Sequence, residues 1–238
     1  MAQRLPKTPA TPSPTPPVAG AVFNWADLAQ YKLEKRFLDG DPADIKTFWA
    51  GRDDVHGLLR DVLRSAQHSI VLNMFGYDDE ELDAIIRQKL SQEHVYVQMS
   101  LDSTQARGVH EAEILKLWAN NGVGNSIAIG TSAKHAISHL KLLIVDGVYT
   151  VTGSTNWSAS GEGLQDNECT IGNNAVRAAA ARTILDINHD FMLKQMAAKG
   201  AGADTASTAA PAAGGAKAAA VNGKPSVRAV SRVQRKTV

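Results

Sequence analysis

The stretch HLKLLIVDGVYTVTGSTN, His139 to Asn156, decides how the rest of the chain is read. It fits H-x-K-x4-D-x6-G-S-x-N, with His139, Lys141, Asp146, Gly153, Ser154 and Asn156 as the specified positions. Six such positions meet by accident roughly once in 10^8 starting points on average composition. Within it, LKLLIVD is a short apolar run rich in branched residues, bounded by Ser138 and Gly147 as a buried strand should be. His139 and Lys141 share parity and point one way on a strand, whereas Asp146 has the opposite parity. VYTVTGSTN reads as the next strand, ending where Ser154 and Asn156 turn neutral hydrogen-bonding groups toward one place.

A neutral imidazole as nucleophile, an ammonium to hold a phosphoryl oxygen and uncharged donors beside them suit displacement at phosphorus. This set requires no metal and no cofactor. A lone histidine on an apolar strand is ordinarily a satisfied core residue, but Lys141 and the G-S-x-N segment reverse that reading for His139. Asp146, just before Gly147, also suits a turn initiator, and its parity favours that structural role. Ser154 and Asn156 are turn formers on the bland reading, donors on the functional one.

These residues resemble the signature of the phospholipase D superfamily. The single motif and the length are similar to its small bacterial nuclease branch, and the resemblance spans about Arg52 to Lys194. It implies a two-step reaction: one motif histidine attacks phosphorus to give a phosphohistidine, and a second protonates the leaving oxygen and then activates water. Of the seven histidines only His139 is followed by lysine two residues later, so the second motif is expected from another chain. A twofold homodimer sets two copies of His139 across one cleft. The family also places an acid on a later strand to orient the nucleophile; Glu168 in LQDNECTIG is the candidate for catalytic work beside His139, Lys141, Ser154, Asn156 and Asp146, with Asp166 the alternative of equal parity.

Around the motif, strand and helix signals alternate, which predicts an α/β fold: a mixed, mostly parallel sheet covered by helices on both faces. DVHGLLRDVLRSAQ, DDEELDAIIRQKL, EAEILKLWANNG and AVRAAAARTILDINHDFMLKQM read as helices; SIVLNMF, VYVQMSLD and SIAIG read as strands. Residues 52–196 form the expected catalytic domain. Residues 23–51 carry helical periodicity with Trp25, Phe37 and Trp49 and are expected as a helical extension. The Pro/Thr-rich segment 1–22 and the Ala/Gly-rich tail 197–238 are expected to be disordered. Asn73 and Tyr77, then Asp102, Thr104 and Gln105, follow strands where loops commonly form sites, and either select substrate or cap turns. Lys134 and His135 stand just ahead of the motif, within reach of a phosphate or simply solvated.

Residues 197–238 hold seven Lys or Arg against one Asp, so the tail carries +6, the remainder −5 and the whole chain +1. The core is therefore not generally basic, and attraction to nucleic acid or an anionic membrane falls to the cleft or to the tail. The one cysteine, Cys169, excludes an intramolecular disulfide and a cysteine-based metal site. No apolar run has transmembrane length and the start lacks a signal peptide's apolar core, so no integral membrane segment and a cytoplasmic location are expected. Three functions follow: a metal-independent nuclease on DNA or RNA, a phospholipase D acting on phosphatidyl lipids or cardiolipin, and a non-catalytic binding module. The retained motif disfavours the third.

Overall fold

The structure is a computed structural model and describes residues 23–207. The expectations for residues 1–22 and 208–238 lie outside the described residues. Seven strands form one sheet: β1 (Ile45–Trp49), β2 (Ser69–Met74), β3 (Tyr96–Asp102), β4 (Ile127–Gly130), β5 (Lys141–Val145), β6 (Tyr149–Gly153) and β7 (Glu168–Asn173), in the order β1-β7-β6-β5-β2-β3-β4. The helices are α1 (Val55–Ser65), α2 (Glu80–Ser91), α3 (Val109–Asn120), the short α4 (Ala159–Gly163) and α5 (Ala175–Ser207).

The sheet is mixed, as the alternation predicts, but its parallel character is confined to one half. Strands β2, β3 and β4 run parallel, with α2 and α3 as crossovers; the other four pairings are antiparallel. The expectation of a mostly parallel sheet is corrected by the connections, because a parallel return needs a crossover longer than the motif region provides. The β5–β6 link is a tight turn in which Asp146 and Gly147 both have positive φ, at 52° and 66°, the twist that hairpins favour.

Side-chain alternation explains the two covered faces. Ile70, Leu72 and Met74 of β2 join Leu143, Val145 and Val151 in the main core with Leu58, Leu59 and Val62 of α1, Ile86 of α2 and Trp118 of α3. Val71 and Ile144 face the other way, onto Ala178 and Leu185 of α5. On this second face β3 is polar rather than apolar. Gln98 donates to Asp186 at 2.9 Å, Ser100 pairs with His189 at 3.1 Å, and Arg182 lies 5.4 Å from the Tyr96 ring centroid. Buried polar groups need such partners, so α5 docks in one register.

Two boundaries differ from expectation. Residues 23–51 contain only a 3-10 helix, Trp25–Tyr31; Ile45–Trp49 is an edge strand paired with β7, not helix. Gly40 and Pro42 interrupt the helical pattern, and KTF alternates as a half-buried strand does, with Phe48 fully buried. At the other end, α5 continues to Ser207, past the expected boundary at 196. Among the described residues no helix is long and apolar enough to cross a membrane.

Candidate active site

Lys141 opens β5 on the side of the main core, and its partner across the sheet is Met74. Only 6% of the residue is exposed. Its ammonium lies 4.8 Å from the Phe75 ring centroid and donates to the His139 carbonyl at 3.2 Å. Burial lowers the Lys141 pKa, and the aromatic face offsets part of that desolvation. The exposed imidazole of His139 leans on the same ring, centroid to centroid 4.5 Å.

Asn156 is brought in by the residue after Phe75. Its Oδ1 accepts from Gly76 N at 3.3 Å, and a Cβ on Gly76 would stand 3.1 Å from the Asn156 Cγ, so glycine permits the close approach. Tyr77 then bridges Trp157, while Trp157 O accepts from Asp78 N and Asp79 N. The turn Phe75–Gly76–Tyr77 thus gathers His139, Lys141 and Asn156, although the three come from different segments.

The backbone ahead of His139 is held from below. Asp102, fully buried, accepts from Ser138 N at 2.6 Å, and Asn73 Nδ2 donates to Ser138 Oγ at 3.2 Å. Asn188 of α5 donates to Asn73 Oδ1 at 3.3 Å, so the polar face of the sheet ends at the site. Asn73 and Asp102 therefore position the histidine segment and do not face a substrate. Tyr77 is also buried, its hydroxyl donating to Asp83 at 2.9 Å, and Thr104 donates to Asp102. Of that group Tyr77 and Gln105 line a cleft beside Asn156, with Asp78, His110, Glu111 and Ser158.

Three motif-linked residues are engaged elsewhere. Asp146 stands beyond the far end of β5, roughly 20 Å along the chain from His139 at strand rise. Its carboxylate accepts from Gln67 N at 3.0 Å, His68 N at 2.7 Å and Ser69 N at 2.9 Å. Direct catalytic participation of Asp146 is thereby corrected: parity and distance send it to a structural turn. Ser154 donates to Asn167 Oδ1 at 2.9 Å and accepts from Glu168 N at 3.0 Å, which secures the turn after β6. Gly153, with φ 149°, precedes it, where any Cβ would collide with the Glu168 carbonyl.

Glu168 does not hydrogen-bond His139. It lies on β7, two strands from β5 and hence about 10 Å away across the sheet. Its carboxylate accepts from Thr170 Oγ1 at 2.7 Å and lines a cleft with Lys32, Arg36 and Arg52 at the β1 edge. Its carbonyl accepts from Ser154 N and Thr155 Oγ1. Asp166 is exposed on the preceding loop, and Lys134 and His135 are exposed ahead of the motif, His135 near Phe191. Cys169 is buried in β7, its thiol pushed up to about 12 by that burial.

Sequence reading missed Phe75 and Gly76, whose significance appears only when β2 is set beside β5. It also missed the cleft acids. Burial pushes Glu111 up to about 8 and raises Asp78 as well, and one carboxyl oxygen of each is buried without a hydrogen-bond partner. Glu111 is thus biased toward the neutral form, which limits its repulsion of an anion at Asn156.

The family model described as cardiolipin synthase, PLD-like domain, matches residues 59–186, more than half of the chain. No curated protein matches significantly. Among solved structures, the phospholipase D family member Nuc from Salmonella typhimurium is similar at TM-score 0.52 and 20% identity, over 60% of this chain and 92% of that one. NucT from Helicobacter pylori is similar at TM-score 0.55 and 16% identity, over 60% of this chain and 94% of that one. The matched span runs from α1 into α5 and encloses both motif strands and the Phe75 turn: this chain belongs to the phospholipase D superfamily, with its phosphodiesterase fold.

Proposed function

We propose that the chain is a metal-independent phosphodiesterase of the cytoplasm that cleaves nucleic acid at a site shared by two copies. The observation that carries this reading is the grouping of the exposed His139 imidazole and the buried Lys141 ammonium on Phe75, with Asn156 one residue further along the same turn.

His139 attacks phosphorus; the P–N bond forms as the bond to the leaving oxygen breaks, and the partner copy's histidine gives that oxygen its proton. The same partner histidine then takes a proton from water, whose oxygen displaces His139 and frees the phosphate monoester. Lys141 and the Asn156 amide hold the non-bridging oxygens as charge builds on them. Ser154 and Glu168 serve through the turn they close, which fixes Asn156. Ile137 and Leu140, 50% and 37% exposed on either side of His139, supply apolar contact for the second copy.

Nucleic acid is favoured as substrate because the single motif and the length are those of the small nuclease branch, and the chain covers nearly all of Nuc and NucT. The same exposed Ile137 and Leu140 also suit a lipid surface, which makes phospholipase D the second reading. Labelled single-stranded DNA, RNA and phosphatidyl vesicles, each incubated with the protein in excess EDTA, separate the two. Cleavage of nucleic acid alone is expected; cleavage of lipid alone would move the assignment, and cleavage of neither would overturn both. Co-refolding with a His139→Ala chain tests the sharing. At equal amounts a shared site leaves about a quarter of the activity, against about half for independent sites.

A further inference from the structure

Away from the motif, His56, Asp79 and Glu162 bring one donor atom each within 4.8 Å of one another. They come from three elements: His56 from the first turn of α1, Asp79 from the N-cap of α2, and Glu162 from α4. His56 Nδ1 lies 2.6 Å from Glu162 Oε2 and 3.4 Å from Asp79 Oδ2. Tetrahedral ligands at zinc bond lengths stand about 3.4 Å apart, so small shifts separate these atoms enough to admit an ion.

Further observations point to a ligand. Glu162 has a side chain only 2% exposed, and its Oε1 is buried with no hydrogen-bond partner. Asp79 spends Oδ1 on Leu82 N, which leaves Oδ2 directed at the imidazole. On the far side of the ring, Nε2 lies 3.1 Å from Glu81 Oε2. An N–H donated to Glu81 turns Nδ1 toward the two carboxylates, the carboxylate–histidine arrangement that orients metal ligands. Asp78, Asp79, Glu81 and Glu162 also concentrate more negative charge here than His56 and Arg64 return.

We propose that His56, Asp79 and Glu162 bind a divalent cation of the zinc class, with Glu81 as the carboxylate that orients the imidazole. The mixed nitrogen and oxygen donors select a borderline ion over Mg2+, which prefers oxygen alone. Binding displaces the proton between Nδ1 and Glu162 and releases it to solvent, so the site tightens as pH rises. The cation joins α1, α2 and α4, and α4 begins three residues beyond Asn156. It takes no part in the phosphodiester chemistry, so its role is to fix the arm that carries Asn156.

The test is titration of tag-free, metal-stripped, full-length protein with ZnCl2 at pH 8 by calorimetry, with MgCl2 as comparator and thermal unfolding alongside. One Zn2+ per chain, a rise in Tm and no response to Mg2+ are expected. His56→Gln and Glu162→Gln should each abolish the binding, His189→Gln should leave it intact, and Glu81→Gln should weaken it about 10- to 100-fold. Should the first two variants fail to fold, nitrogen spectra of labelled wild-type histidines decide. Zn2+ must move the ring resonances of one histidine, the same one that Glu81→Gln perturbs. No Zn2+ binding by the wild type, or binding that survives His56→Gln, would overturn the site and leave an ion-pair network.

Discussion

The two ends of β5 carry parts of one motif and are built on opposite terms. At the Lys141 end the chemistry-bearing groups are left largely unspent: His139 is exposed against Phe75, and Lys141 has a single carbonyl and a ring face. At the Asp146 end nothing is spare, because the carboxylate receives backbone amides from Gln67, His68 and Ser69. Ser154 belongs with Asp146, since its hydroxyl both donates and accepts within its own turn. A shared sequence pattern therefore joins residues that react with residues that hold the reacting ones still, and hydrogen-bond commitment separates the two kinds.

The largest effect should come from exchanging damage between these ends. His139→Ala removes the nucleophile from an exposed position, so turnover should fall by at least about 10^3-fold with Tm nearly unchanged. Asp146→Ala strips a charged acceptor from three amides, at a cost of roughly 2–4 kcal/mol in stability, with near-normal kcat for the chain that remains folded. Paired kinetics and thermal unfolding measure both. A large loss of kcat in folded Asp146→Ala would break the division.

Much of this was legible in the sequence because its causes are local. The apolar run LKLLIVD, the parity of His139 and Lys141 and the turn at Asp146–Gly147 follow from period-2 patterning and turn chemistry. The antiparallel half of the sheet was not, because strand direction depends on the lengths of connections and on β1 joining from before the domain. Nor was the acid partner: the register runs from Leu142 through Thr152 to Thr170, so Glu168 shares the face of Leu142 rather than that of Lys141, and the intervening strand β6 separates it from His139. Phe75 reads as one more apolar residue at a strand end until Met74 pairs with Lys141 and sets the next ring against the motif.

Phe75 sharpens the comparison on the reactive side, since it touches both His139 and Lys141 yet offers no hydrogen bond. Phe75→Ala should expose the ammonium and free the imidazole. The expected loss is about 1–2 kcal/mol of transition-state stabilisation, or roughly tenfold in kcat/KM. Phe75→Leu restores packing without the ring quadrupole. Recovery of full activity in that variant would assign Phe75 a purely steric role.

The smallest effect is a pH dependence at Glu111, which, like His139, keeps a polar atom unspent near the site. Burial comes first in raising its carboxyl to about 8, with Asp78 and Asp102 adding repulsion and the Tyr77 amide opposing them. His110 faces Asp78 in the same cleft. Because the folded value lies above the ordinary 4.5, the acid is most compatible with folding below about 4.5. Stability is lost as pH rises from there through about 8, where the folded chain must ionise it. Glu111→Gln keeps an acceptor for the Tyr77 amide and cannot ionise, so its Tm advantage over wild type should widen between those values and then level off. The wild-type KM for a phosphodiester should climb above about pH 8 as charge appears beside Asn156, while the variant's stays flat. A Tm difference that does not change with pH would mean that the carboxyl titrates normally, and the neutral wall of the cleft would then have to be abandoned.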